Sequence, residues 1–229
     1  MTVTTANDSG AGSLRQTIVS STSGDIIYFT NTLSGATIVP TSGELLLDKN
    51  LTIDASSLTS QIKLNGNHAS RIFNVSNGAN VTLNSLVITN GYAGTGNWGG
   101  AINNEGTLAM DNCTLTGNFT DSSANGGAIA NFGLLTLTGC TLSGNSAGSA
   151  GAINNYGFPC TLRNCTVSGN VCANNGGAVD NVFGAILSIV HCTVSGNTAG
   201  GAGGGIDNYL SQVNLTNSIV AGEYQSGHL

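Results

Sequence analysis

The chain has 229 residues and a net charge of -6, and only 7% of its residues are charged, against roughly a quarter in an ordinary soluble domain. Five Lys and Arg against eleven Asp and Glu cannot build a basic groove, which excludes nucleic acid and anionic lipid as partners. Thirty-four Gly with two Pro, in no three-residue period, exclude collagen and Pro-rich linkers, and the most aliphatic stretch, Ala185 to Val190 with Ser188 inside it, falls far short of the roughly 20 residues that span a bilayer.

Residues 1–24 read as an N-terminal cap. The opening Met1 to Gly10 has no basic segment ahead of an apolar run, so no secretory signal is visible. Ser13 and Gln16 are spaced as a capping box, and Leu14, Thr17 and Ile18 fall about one helical turn apart, which predicts a short helix with an apolar side lying over the first coil. Residues 25–222 form the body of a single domain, with blurred phase and irregular coils expected over 25–74. Beyond that a unit of about 26 residues repeats. The segment Gly99 to Asn118 returns near Gly126, Ala150 and Gly176, with a degenerate copy at Gly204. Cys113, Cys140, Cys165 and Cys192 mark the beat, with Leu86 before them and Ser218 after them in the same slot. Apolar residues alternate, as at Leu108, Met110, Cys113 and Leu115, and a period of two means strand. No helical period lies between the strands, so βαβ and leucine-rich-repeat folds are excluded. Residues 223–229 are a polar tail, for which truncation, filament assembly and a final paired strand all stand open.

The asparagines select the architecture. Asn77, Asn104, Asn131, Asn155, Asn181 and Asn208 follow an apolar residue by two in six successive units. A second file, Asn118, Asn145, Asn170 and Asn197, follows Gly. Identical residues at identical phase stack if each unit is one turn of a parallel coil with turns about 4.8 Å apart, and stacked amides then hydrogen-bond along it. Asn and Gly also accept the left-handed backbone of sharp corners. The expected fold is all-β, a right-handed parallel β-helix (solenoid) of about eight turns.

The corner Gly-Gly-Ala-(Ile/Val)-x-Asn at Gly99, Gly126 and Gly176, and the strand Asn-Cys-Thr-(Leu/Val)-(Ser/Thr)-Gly-Asn at Asn112 and Asn164, resemble right-handed parallel β-helix repeats of bacterial surface proteins of the polymorphic-outer-membrane-protein and choice-of-anchor type. The likeness covers about residues 75–222, and Asn7 to Ile18 resembles that family's N-terminal cap. It implies an extracellular or cell-surface location, and fold more firmly than function, since such scaffolds host adhesins, lyases and glycosidases alike.

Residue chemistry favours a protein without cofactor or catalytic centre. The six cysteines stand where small apolar residues stand in other turns, which reads as reduced core thiols, and no zinc spacing occurs. A lyase needs a carboxylate cluster beside Arg or Lys, and a glycosidase needs flanking carboxylates. Arg163 has no acid cluster around it. Asp180 and Asp207 form the one stacked carboxylate pair, a weak Ca²⁺ candidate or simply two acids facing solvent. Outward phases repeat hydroxyls: Thr114 and Thr116, Thr141 and Ser143, Thr166 and Ser168, Thr193 and Ser195. This two-column grid is a candidate binding face for sugar chains, and it resembles the Thr-x-Thr face of ice-binding solenoids. The expectation is a non-catalytic structural or adhesive solenoid of the cell surface or secreted space, binding carbohydrate along a flank or assembling end to end with itself. A polysaccharide lyase or glycosidase and an ice-binding protein are the alternatives.

Overall fold

Successive units pair edge to edge into a parallel β-solenoid of about eight turns. The structure, a computed structural model, describes residues 1–225. Among these, four parallel sheets of nine, eight, seven and four strands run along the axis. One regular turn passes from Ile102–Asn104 in the seven-stranded sheet to Thr107–Asp111 in the nine-stranded sheet and Thr114–Thr116 in the eight-stranded sheet. Equivalent residues stay in register: Ile102 pairs with Ile129, then Ile153, Val179 and Ile206. Alternation drives Leu108, Met110, Cys113 and Leu115 into the core, none more than 1% exposed.

Residues 25–74 hold the same registers. Asp25–Phe29 pairs with Leu51–Asp54, which pairs with Asn80–Asn84, and Leu45–Leu47 pairs with Phe73–Val75. Their blurred phase comes from side-chain identity. Ile62 and Leu86 fill the slot that later turns give to cysteine, and Leu47 and Val75 fill the slot of the first asparagine file. Asn77 is therefore not in that file. Val75 pairs with Asn104 and Phe73 with Ile102, which puts Asn77 on an exposed corner two residues beyond the ladder.

The file proper runs through Asn104, Asn131, Asn155, Asn181 and Asn208. Each Nδ2 donates to the next Oδ1 at 2.7–2.8 Å. The second file does more. Asn145 Oδ1 accepts from both Asn118 N and Asn118 Nδ2, while Asn145 Nδ2 donates to Leu115 O and to Asn170 Oδ1. Glu223 takes the next place in line, accepting from Asn197 N and Nδ2, and Tyr224–Gln225 pairs with Thr198–Ala199. The chain thus continues as coil past residue 222; residues 226–229 lie outside the described residues.

The cysteine slot works by the same rule. Cys113, Cys140 and Cys165 Sγ donate to the carbonyls of Leu83, Met110 and Leu137, at 3.4 Å. Ser218 Oγ makes the equivalent bond to Ile189 O. All six cysteines are free and buried. The hydrogen bond to Cys113 and burial push the Cys140 thiol up to about 12, and burial raises Cys160 and Cys192. Such thiols are poor nucleophiles.

The left-handed backbone falls beside the asparagine ladders rather than in them. Ser85, Asn112, Gly139, Asn164, His191 and Asn217, one residue before the cysteine slot, all have φ between 46° and 63°. Asn and Gly suit this conformation, and an imidazole suits it less. His191→Asn is expected to stabilise the fold by about 0.5–1 kcal/mol, read as a higher urea midpoint with unchanged slope.

At the N-terminal end, Leu14–Ser20 forms the expected helix, with Leu14, Thr17 and Ile18 buried. Ser13 Oγ caps Gln16 N at 3.1 Å, but Gln16 Nε2 turns away to Ser20 Oγ, so the reciprocal half of the capping box is not made. Lys49 Nζ meets the carbonyls of Ile18 and Ser21 at the other end, where a cation complements the helix dipole. Asp8 ties this region together. Burial acts to raise its pKa, but hydrogen bonds from Ser42, Arg15 and Thr41 outweigh it and hold the carboxyl below the usual range.

Close backbone contacts favour the paired glycines of the repeat, although one turn places Ala150 (φ 58°) in the first slot. The first, at Gly99, Gly126, Gly176 and Gly203, has φ between 61° and 73° and lies directly on the outer face of the seven-stranded sheet. A Cβ on Gly126 would sit 2.3 Å from Ile129 O, and one on Gly176 would sit 2.5 Å from Val179 O. The second glycine packs against its counterpart one turn on: a Cβ on Gly151 would meet Gly177 O at 2.2 Å. This glycine layer covers the outward phase of the sheet, so Asn103, Ala130, Asn154 and Asp180 are buried although they point away from the core.

Turn length varies at fixed places. The span from nine-stranded sheet to second asparagine file is constant, residues 108–118, 135–145, 160–170 and 187–197. The corner before it varies, from 104–108 and 131–135 to 155–160, then 181–187, its longest, and 208–213.

Candidate binding flanks

The hydroxyl grid forms as its phase requires. Thr114, Thr141, Thr166 and Thr193 make one column of the eight-stranded sheet, and Thr116, Ser143, Ser168 and Ser195 the other. All lie outside, between buried Leu115, Leu142, Val167 and Val194. Ser143 Oγ reaches Thr116 Oγ1 at 3.5 Å. The first column gives way to Val87 and Lys63 on one side and Ile219 on the other, while the second gains one more hydroxyl, Thr89, before Asn65, and ends at Ala221.

A second flank carries what the sequence reading overlooked. Phe132, Tyr156 and Tyr209 each follow a ladder asparagine directly, and Phe183 follows Asn181 by two. This phase points outward at the edge of the seven-stranded sheet. The rings form one rib: Trp98 on Phe132 at 5.5 Å, Phe132 to Tyr156 at 5.8 Å, Tyr156 to Phe183 at 4.8 Å, Phe183 to Tyr209 at 6.0 Å. Trp98 also lies 6.4 Å from Tyr156, so three rings cluster at one end of the rib, and from Phe132 to Tyr209 it spans three rises, about 14 Å. Phe183 and Tyr209 are more than half exposed. Beside the rib, Phe132, Leu134 and Phe158 join Asn77, Glu105 and Thr107 in an open groove of about 310 Å³. The signal in the chain is an aromatic directly after Asn131, Asn155 and Asn208 and two residues after Asn181, with none after Asn104.

The carboxylate pair is stacked as the phase implies, since Asp180 pairs with Asp207. Its environment differs from expectation. Asp180 is only 7% exposed, because the chain at Gly176 crosses over it, and only Asp207 retains contact with solvent. Burial, then repulsion from Asp207, pushes the Asp180 carboxyl up to about 7. Arg163 stands on a different sheet, in the column of Asp111, Thr138 and Val190, so the geometry brings no base to these acids. His68 packs on Phe119 at 5.4 Å, and His228 lies outside the described residues.

No protein-family model, curated protein or solved structure matches this chain. Function must therefore be read from the flanks themselves, because a solenoid hosts many activities.

Proposed function

We propose that this is a non-catalytic adhesive β-solenoid of the secreted or cell-surface kind, which binds a polysaccharide lengthwise along the aromatic rib. One observation carries the reading: Trp98, Phe132, Tyr156, Phe183 and Tyr209 form a continuous, outward-facing line of rings on a rigid coil. A contiguous exposed apolar strip marks an interaction surface. Aromatic faces stack on the C–H faces of pyranose rings, while the neighbouring Asn77, Glu105 and Thr107 offer hydrogen bonds to hydroxyls. A rib of tilted rings open at both ends suits a polymer rather than a small molecule. The surface-protein resemblance of the Gly-Gly-Ala and Asn-Cys-Thr motifs supports the location.

Trp98 is the sole tryptophan and stands at one end of the rib, so its fluorescence reports occupancy directly. Titration with soluble polysaccharides of different linkage is expected to shift its emission saturably. Tyr156→Ala is expected to weaken binding roughly tenfold, about 1.4 kcal/mol, while Thr141→Ala on the grid leaves it unchanged. Equal binding by wild type and Tyr156→Ala would refute the rib as the site. Release of reducing or unsaturated sugar from the polymer would establish the lyase or glycosidase instead.

A further inference from the structure

One outward column of the seven-stranded sheet runs Leu46, Asn74, Asn103, Ala130, Asn154, Asp180, Asp207, and its two halves are satisfied differently. In the first half each acid meets a donor. Glu44 accepts from Arg71 Nη1 and from Asn74 Nδ2, both at 2.9 Å, and Asn103 Nδ2 donates to Asn74 Oδ1 and Glu105 Oε1. Beyond Ala130 no ion pair continues the pattern, and the Asp180 carboxyl meets only that of Asp207. Asn154 Oδ1 and Asp180 Oδ1 are both buried with no hydrogen-bond partner, in residues only 1% and 7% exposed. They occupy adjacent turns of the same column, and Asp207 adds a second carboxylate one turn further.

Unpaired buried acceptors beside two acids require something electropositive. No basic side chain supplies it: Arg15, Lys49 and Arg71 are engaged near the N-terminal end, and Lys63 and Arg163 belong to the other two long sheets. Cys172, close enough to feel the Asp180 charge, keeps its proton because burial pushes its thiol up to about 11. The available ligands are therefore all oxygen.

We propose that Asn154, Asp180 and Asp207 form a binding site for a hard divalent cation of the Ca²⁺ class. Two carboxylates balance its charge, and the Asn154 amide oxygen adds a neutral ligand. The column sets Asn154 and Asp207 two turns, about 9.6 Å, apart with Asp180 between them, so an ion held on the Asp180 carboxylate is reached when the two outer side chains lean toward it, and the flexible coordination of Ca²⁺ at about 2.3–2.6 Å suits such a site better than the strict octahedron of Mg²⁺. The half-exposed Asp207 leaves the route from solvent open.

The test uses the full chain, freed of metal with chelator, at about pH 8 so that both acids can ionise. Calorimetric titration with CaCl₂ is expected to show saturable binding of one ion with a dissociation constant of about 0.1–1 mM, accompanied by a higher melting temperature, and MgCl₂ should bind at least about tenfold more weakly. Asp180→Asn and Asp207→Asn should each abolish both effects. Asp180→Asn should still fold, since Asn fills this column at Asn103 and Asn154, and it should melt higher than metal-free wild type because the buried charge is gone. Absence of heat and of a melting shift with millimolar Ca²⁺ in the wild type would overturn the proposal in favour of a proton shared by the two acids. Undiminished Ca²⁺ binding in both variants would overturn it equally.

Discussion

Replacing Asn145 by alanine is expected to lower the unfolding free energy by about 4 kcal/mol, measured by urea denaturation followed by circular dichroism. The side chain is fully buried and serves four partners in two neighbouring turns. Truncation strands the Asn118 backbone N–H, removes the second donor from the Leu115 carbonyl, frees one Asn118 amide hydrogen, and opens a cavity. Each stranded buried group costs about 1–3 kcal/mol, and the losses do not simply add. Aspartate would be no remedy. It could accept from Asn118 but could donate nothing to Leu115, and it would bury a charge. Glu223 shows where a carboxylate is tolerated: at the position where the file needs only an acceptor, although burial still raises its pKa. An Asn145→Ala protein with wild-type stability would mean that the ladder decorates a fold held by apolar packing alone.

Gly151→Ala is expected to be nearly as severe, at about 3 kcal/mol or more, because the new methyl would lie 2.2 Å from Gly177 O and 2.7 Å from Val171 N. Both are backbone atoms of the next turn, held by its own hydrogen bonds, so relief requires the turns to part. Gly144→Ala is the matched comparison. Its Cβ would meet nothing within 4 Å, and the cost is confined to placing a side chain at φ 62°, about 1 kcal/mol. Equal melting temperatures for the two variants would show that turn-to-turn contact is not what the second glycine serves.

Much of the coil was legible from side chains that must repeat because they stack. The second asparagine file bonds to its own copy one turn away and the cysteine slot to a carbonyl of the previous turn, so both write a period into the chain, and the outward hydroxyls keep that period by sharing its register. Asn77 misled because an Asn two residues after a valine satisfies the pattern without sharing the register. Only the pairing of Val75 with Asn104 places it on the corner. The burial of Asp180 was hidden for a different reason. Alternation assigns it outward, and nothing in a period of two says that a stretch of glycines from the same turn will lie across that face. The aromatic rib was missed because its members drift, directly after the asparagine at Phe132, Tyr156 and Tyr209 but displaced by one at Phe183. A rib needs ring contact rather than identical register, so its members can shift while the ladders cannot.

That drift follows from the uneven corner lengths. The stretch 135–145 and its counterparts never change, whereas the corner bearing the rings varies, from 131–135 to 181–187. Added residues there are expelled sideways instead of disturbing the pairing above and below. Edge and scaffold are thereby decoupled: loops could be grafted, lengthened or exchanged at this edge, and the rod beneath would keep its pitch.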